Sequence, residues 1–310
     1  MSEANSRTVR VRVPASATNL GPGFDVLGLA LDLHNELEIR TLPGAPPGHV
    51  EVLVEGEGAA ILERGADNLA WKAIRHLYET VGAAVPALEL RLCNAIPVSR
   101  GLGSSSTAIV GGLVAANALL GEPLDPEALL KLAVGMEGHP DNVTPALLGG
   151  FQVMSLTDTG LIHLRLPTPA GLRVVVCIPD RAVSTVEART TLPNLYLRSD
   201  AVFNMGRTAL LVAGLLTGET GVLRAAMEDR IHQPYRARLI PGFHEALAGA
   251  LDAGALGACL SGSGSTMLAF TRRAEAEVGQ AMVRAVRDAG ADAEWRCLGV
   301  AETGAVQIRE

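Results

Sequence analysis

The chain's most informative stretch is Pro97-Val-Ser-Arg-Gly-Leu-Gly-Ser-Ser-Ser-Thr107. Before it, apolar and polar residues alternate over residues 88–93, which is typical of a half-buried strand. After it, residues 108–120 are almost all small or apolar, long enough for a buried helix that ends at Gly121. The sequence therefore predicts a strand, a glycine–serine loop and a helix, in that order.

The start of this helix is suited to an anion. Its first N–H groups have no partner within the helix, and the helix dipole is positive there. Gly101 and Gly103 allow positive φ and a close approach of the backbone to a ligand, and three serines add hydroxyl groups. A phosphate is the expected anion, although a glycine–serine loop before a helix is often only a turn with a good N-cap.

Composition narrows the class of protein. The 310 residues can bury a sizeable core and would usually divide into two domains. The net charge of -7 and the pI of about 5.6 argue against nucleic acid or an anionic membrane as the main partner. No run of about 18 apolar residues could span a membrane, and no signal segment is evident at the N-terminus. Four widely spaced cysteines suggest neither a zinc site nor a disulfide framework, so we expect a cytoplasmic protein.

Two common nucleotide-binding motifs do not match the loop. The motif G-x-G-x-x-G fails because Ser106 stands where its last glycine belongs, and G-x-x-x-x-G-K-[ST] fails because its lysine is missing. The remaining pattern, Pro-x-x-x-Gly-Leu-Gly-Ser-Ser-Ser, resembles the phosphate loop of the GHMP kinases. That resemblance implies a two-domain α+β fold, with a ribosomal protein S5 domain 2-like N-terminal domain (residues 1–167) and a ferredoxin-like C-terminal domain (residues 168–310).

The resemblance also implies that ATP binds at this loop. A third glycine-rich motif of the family is similar to residues 261–266, which would fold back towards the site. Asn68 lies where the family approaches the adenine, although an N-cap for the following helix is an equal alternative. The residues expected to bind ATP are Pro97, Val98, Ser99, Arg100, Gly101, Leu102, Gly103, Ser104, Ser105, Ser106, Thr107 and Asn68.

Near the N-terminus, valines alternate with arginines in a predicted strand that stops at Pro14. The next segment is Pro14-Ala-Ser-Ala-Thr-Asn-Leu-Gly-Pro-Gly-Phe-Asp25. Taken alone, Asn19 and Asp25 beside a Gly-Pro-Gly turn would merely cap the backbone. The whole segment, however, is similar to the first motif of the homoserine kinase branch of the GHMP kinases. The resemblance implies transfer of phosphate from ATP to the hydroxyl of L-homoserine, a step of threonine biosynthesis.

A helix predicted to start at Asp125 ends at Glu137-Gly-His-Pro-Asp-Asn-Val143, which is crowded with polar side chains. In isolation, this would be a Gly-x-Pro turn with a structural histidine. The segment is similar to one in homoserine kinases whose glutamate holds Mg²⁺ together with a serine of the phosphate loop. The resemblance therefore implies Mg²⁺ on Glu137 and Ser105, with Ser104 as the alternate, since Mg²⁺ on ATP takes only one or two protein oxygens.

Homoserine carries an ammonium and a carboxylate, so its site needs an acid and cations. Residues 184–189, Ser-Thr-x-x-x-Arg, and residues 234–241, Pro-Tyr-Arg-x-x-Leu-x-Pro, each resemble a homoserine kinase segment with an arginine. Either arginine alone would usually be a solvated surface charge. The residues expected to bind homoserine are Asn19 and Asp25 at the ammonium, Arg189 and Arg236 at the carboxylate, and His139 and Thr185 around them.

No strong base is evident for the hydroxyl proton. In mevalonate kinases an aspartate serves near this position, whereas the resemblance places Asn142 there. Phosphoryl transfer can proceed by positioning and charge stabilisation, with the proton passing late to the phosphate. The expected catalytic residues are Asn142, Glu137 and Asp141, with Asp141 as the alternative base.

Two other readings of the sequence stay open. One is a GHMP kinase for another small alcohol. The other is a non-catalytic relative, which would be expected to have lost Glu137 or the loop serines, although both are present. A homodimer is implied by the family alone.

Overall fold

The computed structural model describes residues 6–309. The strands are β1 (Thr8–Thr18), β2 (Leu27–Thr41), β3 (Val50–Gly56), β4 (Leu88–Asn94), β5 (Phe151–Thr157), β6 (Gly160–Leu166), β7 (Arg173–Pro179), β8 (Gly257–Leu260), β9 (Met267–Thr271), β10 (Ala293–Leu298) and β11 (Val306–Ile308). The helices are α1 (Leu69–Thr80), α2 (Ser104–Leu119), α3 (Pro126–Glu137), α4 (Pro140–Leu148), α5 (Thr185–Thr190), α6 (Arg198–Thr217), α7 (Leu223–Ala226), α8 (Gln233–Arg236), α9 (Phe243–Asp252) and α10 (Glu275–Asp288), with 3-10 turns at Thr220–Val222 and Ala237–Leu239. The expectation about an N-terminal targeting segment concerns in part residues 1–5, which lie outside the described residues.

Two sheets organise these elements. The first follows the order β11-β1-β2-β4-β3, with β5 beside β2 and β6 beside β5. Within it, β3 and β4 pair in parallel, whereas β1 and β2 are antiparallel. The second sheet follows the order β10-β7-β9-β8 and is antiparallel. The α+β class predicted from the sequence is confirmed.

Strand β1 does not stop at Pro14, so that prediction is wrong. The strand continues to Thr18, and its register against β2 shifts between Pro14 and Ala15. Such an irregularity accommodates proline, because a residue at a bulge need not donate an N–H to the ladder. The longer strand brings Ser16 and Thr18 to the region of the site.

The core of the first sheet lies between its strands and helices α1 to α4. The alternating leucines of β4 are buried against Ile74 and Leu77 of α1, as their period predicts. Helices α1 and α2 approach each other closely at Gly112, where a Cβ atom would lie 2.5 Å from the carbonyl oxygen of Ala70. This contact explains a glycine in the middle of a buried helix.

A second core cluster joins the two sheets. Leu29 and Phe151 of the first sheet pack in it with Val174 and Phe270 of the second. A third cluster fills the space between the second sheet and helices α9 and α10. Because the two sheets share apolar contacts, the loops of the first sheet are held next to those of the second. The candidate site lies between these loops. Among residues 6–309, no helix is both long and apolar enough to cross a bilayer.

Candidate active site

A cavity of about 360 Å³ brings together motifs that are distant in the sequence. The C-terminal glycine-rich loop reaches it through Gly262 and Ser263. The predicted site residues that line the cavity are Asn19, Asp25, Asn68, Val98, Ser99, Arg100, Gly101, Gly103, Ser104, Ser105, Ser106, Thr107, Glu137, His139, Asp141, Asn142, Thr185, Arg189 and Arg236. Pro97 and Leu102 are buried and lie outside this lining.

Helix α2 begins at Ser104 and not at the predicted Ala108, so the three serines form its first turn. Gly103 precedes them in the left-handed conformation, with φ 73°. A Cβ atom at this glycine would lie 2.1 Å from Ser16 Oγ, and one at Gly101 would lie 2.3 Å from the carbonyl oxygen of Ser261. Both positions therefore require glycine. The free N–H groups of the first helical turn lie beside the cavity, as an anion site requires.

The phosphate loop is held by residues of the second sheet's loops. The N–H of Thr266 donates to the carbonyl oxygen of Arg100 at 3.0 Å, and Ser261 Oγ donates to that of Gly101 at 2.7 Å. The Arg100 side chain itself donates through Nε to the carbonyl oxygen of Pro179 at 3.0 Å. The conformation of the loop thus depends on both sheets.

Asn68 is the N-cap of α1. Its Oδ1 accepts from the N–H of Ala70 at 3.0 Å and of Trp71 at 3.3 Å, and its Nδ2 donates to the carbonyl oxygen of Glu63 at 2.8 Å. The capping alternative raised by the sequence is therefore present. Contact of this residue with adenine stays a prediction.

Glu137, at the end of α3, faces the first turn of α2. Its Oε1 accepts from Ser106 Oγ at 2.8 Å and lies 3.4 Å from Ser105 Oγ. The predicted metal pair of Ser105 and Glu137 is therefore adjacent, and Ser106, which the sequence did not suggest as a ligand, lies closer to the carboxylate. In the described part of the chain, no cluster of three or more His, Cys, Asp or Glu side chains forms a metal site. One carboxylate beside hydroxyl groups is an oxygen donor set that fits Mg²⁺ on a nucleotide.

The segment after Glu137 is more ordered than the predicted turn. Gly138 ends α3 in the left-handed conformation, and α4 begins at Pro140, where a missing N–H has no cost. Asp141 is 3% exposed and its Oδ1 is hydrogen-bonded to Nδ1 of His139. Burial lowers the pKa of His139, but the hydrogen bond and charge of Asp141, with the charge of Glu137, raise it above the ordinary value. The carboxylate considered as an alternative base is thus engaged by this histidine.

Asn142 follows in the first turn of α4. Its Oδ1 accepts from Ser16 Oγ at 2.8 Å. A Cβ atom at Gly103 would lie 3.1 Å from the same Oδ1. The amide is therefore set directly against the phosphate loop, and Ser16 fixes its orientation.

Asp25 and Arg189 form a fork-shaped ion pair across the cavity. Arg189 Nη1 lies 3.1 Å from Asp25 Oδ2, and Nη2 lies 3.0 Å from Oδ1. The acid predicted for the ammonium and one arginine predicted for the carboxylate therefore pair with each other. Asn19 supports the acid, since its Oδ1 accepts from the N–H of Asp25 at 3.0 Å and its Nδ2 donates to Gly262 O at 3.1 Å. Thr185 opens α5, which carries Arg189.

Arg236 is 2% exposed, although it lines the cavity. Its guanidinium donates to Gly262 O at 3.0 Å, to Ala188 O at 3.4 Å and to His232 Nδ1 at 3.3 Å. Within residues 6–309, no carboxylate forms an ion pair with it. Burial, followed by the charge of Arg189, lowers the pKa of Arg236 to about 10. A buried cation without an anionic partner is costly, so an anionic ligand at this point would be strongly favoured.

Comparison with known proteins places this site in a family. The family model described as "GHMP kinases N terminal domain" matches residues 68–150, and that described as "GHMP kinases C terminal" matches residues 211–289. A homoserine kinase of Moorella thermoacetica is 45% identical over 96% of this chain and 99% of its own length. One from Carboxydothermus hydrogenoformans is 44% identical, covering 97% of both chains.

Solved structures agree. The crystal structure of homoserine kinase from Cytophaga hutchinsonii superposes with a TM-score of 0.89 at 34% identity, over 99% of both chains. The chain belongs to the homoserine kinases of the GHMP kinase family. It is therefore an ATP-dependent small-molecule kinase, and the two-domain GHMP fold predicted from the sequence is confirmed. A mevalonate kinase structure, with a TM-score of 0.70 at 12% identity, shares the fold alone.

Sequence reasoning missed several residues of this homoserine kinase family site. Ser16 lies within the segment Pro14–Asp25, but its contact with Asn142 spans 126 residues. Asn35 accepts from the N–H groups ahead of the phosphate loop and donates through Nδ2 to Thr107 Oγ1 at 2.9 Å. Phe24 and His232 lie behind the two arginines. Of these residues, Asn35 alone could have been found from the sequence. An asparagine among the apolar residues of a strand indicates a polar partner nearby, because polar groups are rarely buried without partners.

Proposed function

We propose that the protein transfers the γ-phosphoryl group of ATP to the hydroxyl of L-homoserine, giving O-phospho-L-homoserine and ADP in threonine biosynthesis. The observation that carries this substrate is the arrangement of Asp25, Arg189 and the buried Arg236 beside the phosphate loop. One acid and two arginines complement a zwitterion with one ammonium and one carboxylate. A substrate without an ammonium would leave the acid unused.

Homoserine would replace the ion pair between Asp25 and Arg189. Its ammonium takes the place of the guanidinium at Asp25, with Asn19 holding that acid, and its carboxylate supplies the anion that Arg236 lacks. Asp25 thus exchanges the Arg189 guanidinium for the homoserine ammonium, and Arg189 and Arg236 share the homoserine carboxylate. Binding therefore leaves neither the acid nor the two arginines without a partner of opposite charge. Thr185 and His139 complete the pocket.

ATP binds with its phosphates at the N-terminus of α2, against Gly101 and Gly103, and with its adenine on the side of Asn68. Glu137 and Ser105 would hold Mg²⁺, with Ser104 as the alternate, and Ser106 lies within the same group of oxygens. The ion supplies positive charge that offsets the charge of the phosphates.

The chain's own residues act mainly by positioning. Asn142 faces the phosphate loop and orients the homoserine hydroxyl towards the γ-phosphorus. The hydroxyl oxygen forms the new bond to phosphorus, the bond between phosphorus and the bridging β–γ oxygen breaks, and the hydroxyl proton passes late to the transferred phosphoryl group. No strong base is needed, which fits the engagement of Asp141 by His139.

A coupled ADP-release assay with Mg-ATP tests the substrate. It compares L-homoserine with mevalonate, shikimate and L-threonine at equal concentration. We expect a strong preference for homoserine, which the Asp25→Ala variant should lose. Asp158 is exposed, and the Asp158→Ala variant is the matched control that should keep this preference. Release of ADP with mevalonate or shikimate, and none with homoserine, would show that the substrate has been misassigned within the family.

The metal role is tested by Mg²⁺ titration of Glu137→Gln against Glu127→Gln, an exposed acid on the same helix. We expect the Mg²⁺ concentration for half-maximal rate to rise in the first variant alone. Equal behaviour of the two variants would exclude Glu137 as a ligand.

We also propose a cytoplasmic location, where ATP is available and thiols stay reduced. The cysteines of the chain, Cys93, Cys177, Cys259 and Cys297, are all unpaired. The homodimer stays a prediction, and light scattering coupled to size-exclusion chromatography would test it.

A further inference from the structure

One buried histidine stands between the two charged ends of the homoserine pocket and has no role in the transfer itself. His232 is fully buried. Its Nε2 lies 2.7 Å from the carbonyl oxygen of Gly21, and its Nδ1 lies 3.3 Å from Nη1 of Arg236. Gly21 belongs to the loop that ends at Asp25. The His232 ring therefore contacts both the backbone of the loop that carries Asp25 and the side chain of Arg236.

The partners of this ring determine its protonation. A guanidinium can only donate hydrogen bonds, so Nδ1 must be the acceptor. A carbonyl oxygen can only accept, so Nε2 must carry the proton. Both hydrogen bonds are made by the neutral ring with its proton on Nε2, and by no other form. Burial lowers the pKa of His232 and favours the same neutral form, against the opposing charge of Asp229.

The loop is clamped from the same side by other residues of the second half of the chain. Asn204 Nδ2 donates to the carbonyl oxygen of Pro22 at 3.2 Å, and Thr208 Oγ1 donates to it at 3.0 Å. A Cβ atom at Gly21 would lie 2.4 Å from the carbonyl oxygen of Met227. The backbone before Asp25 is therefore seated on this surface.

Phe24 connects the same groups through its ring. Its centroid lies 5.3 Å from that of His232, 5.2 Å from Cζ of Arg236 and 5.7 Å from Cζ of Arg189. Guanidinium groups at such distances from an aromatic ring are attracted to it. His232 and Phe24 thus form one layer behind both arginines.

We propose that His232 is a positioning residue that fixes the spacing between Asp25 and Arg236, and thereby selects a substrate carrying an ammonium and a carboxylate at that spacing. This inference rests on the proposed function. Spacing matters only for a ligand that contacts both ends, because a ligand with one charged group can follow its single partner.

The kinetic test uses three ligands on wild type, His232→Leu and the control His163→Leu, whose histidine contacts Glu127 outside the cavity. The ligands are homoserine, 4-hydroxybutanoate, which lacks the ammonium, and 3-aminopropan-1-ol, which lacks the carboxylate. We expect His232→Leu to raise the homoserine KM by about tenfold. This factor corresponds to the loss of one hydrogen bond to a charged group. The KM for ATP and the inhibition constants of both analogues should change by less than about twofold.

Equal losses for all three ligands and ATP would show general damage and overturn the proposal, as would an unchanged homoserine KM. If the leucine variant does not fold, His232→Gln takes its place, since it keeps an N–H for Gly21 but loses the ring nitrogen that accepts from Arg236.

A second measurement needs no substrate. In histidine-labelled wild-type protein, ¹⁵N NMR should show the His232 ring neutral and protonated on Nε2, the signal being assigned by its loss in the variant. A ring protonated on Nδ1, or on both nitrogens, would overturn the proposal. Absence of homoserine turnover in wild type would instead refute the proposed function and leave this result standing.

Discussion

Replacing Arg236 by methionine is expected to stabilise the ligand-free protein and to weaken homoserine binding. The fall in the pKa of Arg236 from 12.5 to about 10 corresponds to about 3 kcal/mol against the charged form in the folded state. The unfolded chain binds this proton more tightly, so the cost is fully present at neutral pH and would be lost only as pH rises through the range from the folded to the unfolded pKa. Methionine keeps an apolar stem without the charge.

Removing the guanidinium also removes its hydrogen bonds, and their loss offsets part of the stability gained by removing the buried charge. Gly262 O keeps Asn19 Nδ2 as a donor, and Ala188 O keeps Thr191 Oγ1. Of the three acceptors bonded to this guanidinium, His232 Nδ1 is left without a donor, at a cost of about 1–2 kcal/mol. The net stabilisation is therefore about 1–2 kcal/mol, or a rise in Tm of about 1.5–3 °C for a chain of this length.

The same change removes the charged donors expected to meet the substrate carboxylate. Hydrogen bonds to charged groups contribute about 1.5–3 kcal/mol each, so the homoserine KM should rise by about a hundredfold or more. The KM for ATP should stay near the wild-type value.

Differential scanning calorimetry of the ligand-free protein and the coupled ADP-release assay measure the two effects. Arg238→Met, which removes an exposed arginine two residues away, is the control and should change neither quantity. A lower Tm together with an unchanged homoserine KM would refute the reasoning, because it would mean that the buried charge is compensated within the protein.

Three further predictions concern the loop, the amide and the thiols. Gly103→Ala places a Cβ atom 2.1 Å from Ser16 Oγ at φ 73°, so ATP binding measured by calorimetry should fall by about tenfold or more, and an unchanged affinity would contradict the proposed loop geometry. Asn142→Ala should lower kcat more than it raises the homoserine KM, and an unchanged kcat in steady-state assays would remove the residue from the transfer step. Burial raises the pKa of Cys177 to about 12, so mass spectrometry after iodoacetamide treatment should find Cys297 alkylated and Cys177 intact; modification of both at equal rates would contradict this.

Much of the first sheet and of the phosphate loop could be predicted from local sequence. Alternation in β4 and the apolar run of α2 each report a single element, and the Gly-x-Gly pattern reports backbone geometry within a few residues. Boundaries were less accurate. The strand through Pro14 and the start of α2 at Ser104 were misjudged, because a bulge and a left-handed glycine cap are set by tertiary contacts.

The parts of the site that the sequence did not reveal depend on contacts between distant residues. His232 contacts Gly21 across 211 residues, and Asp25 meets Arg189 across 164. Each side chain alone has several plausible roles, and only the fold decides which partner it meets. The sequence could therefore predict which charged side chains the site contains, but not which of them pair with each other.

The pairing of β11 with β1 also affects how the protein is made. Residues 306–308 complete the sheet whose other strands lie within residues 8–166. During synthesis, the outer edge of β1, with its row of alternating valines, stays without its neighbour until residues 306–308 have left the ribosome, long after the other strands of this sheet. Such an open edge is a template for pairing with other chains. Arg10, Val11 and Arg12 pair with β11 in the finished sheet. The exposed Arg12 places a charge on this edge, which would discourage nascent chains from associating there.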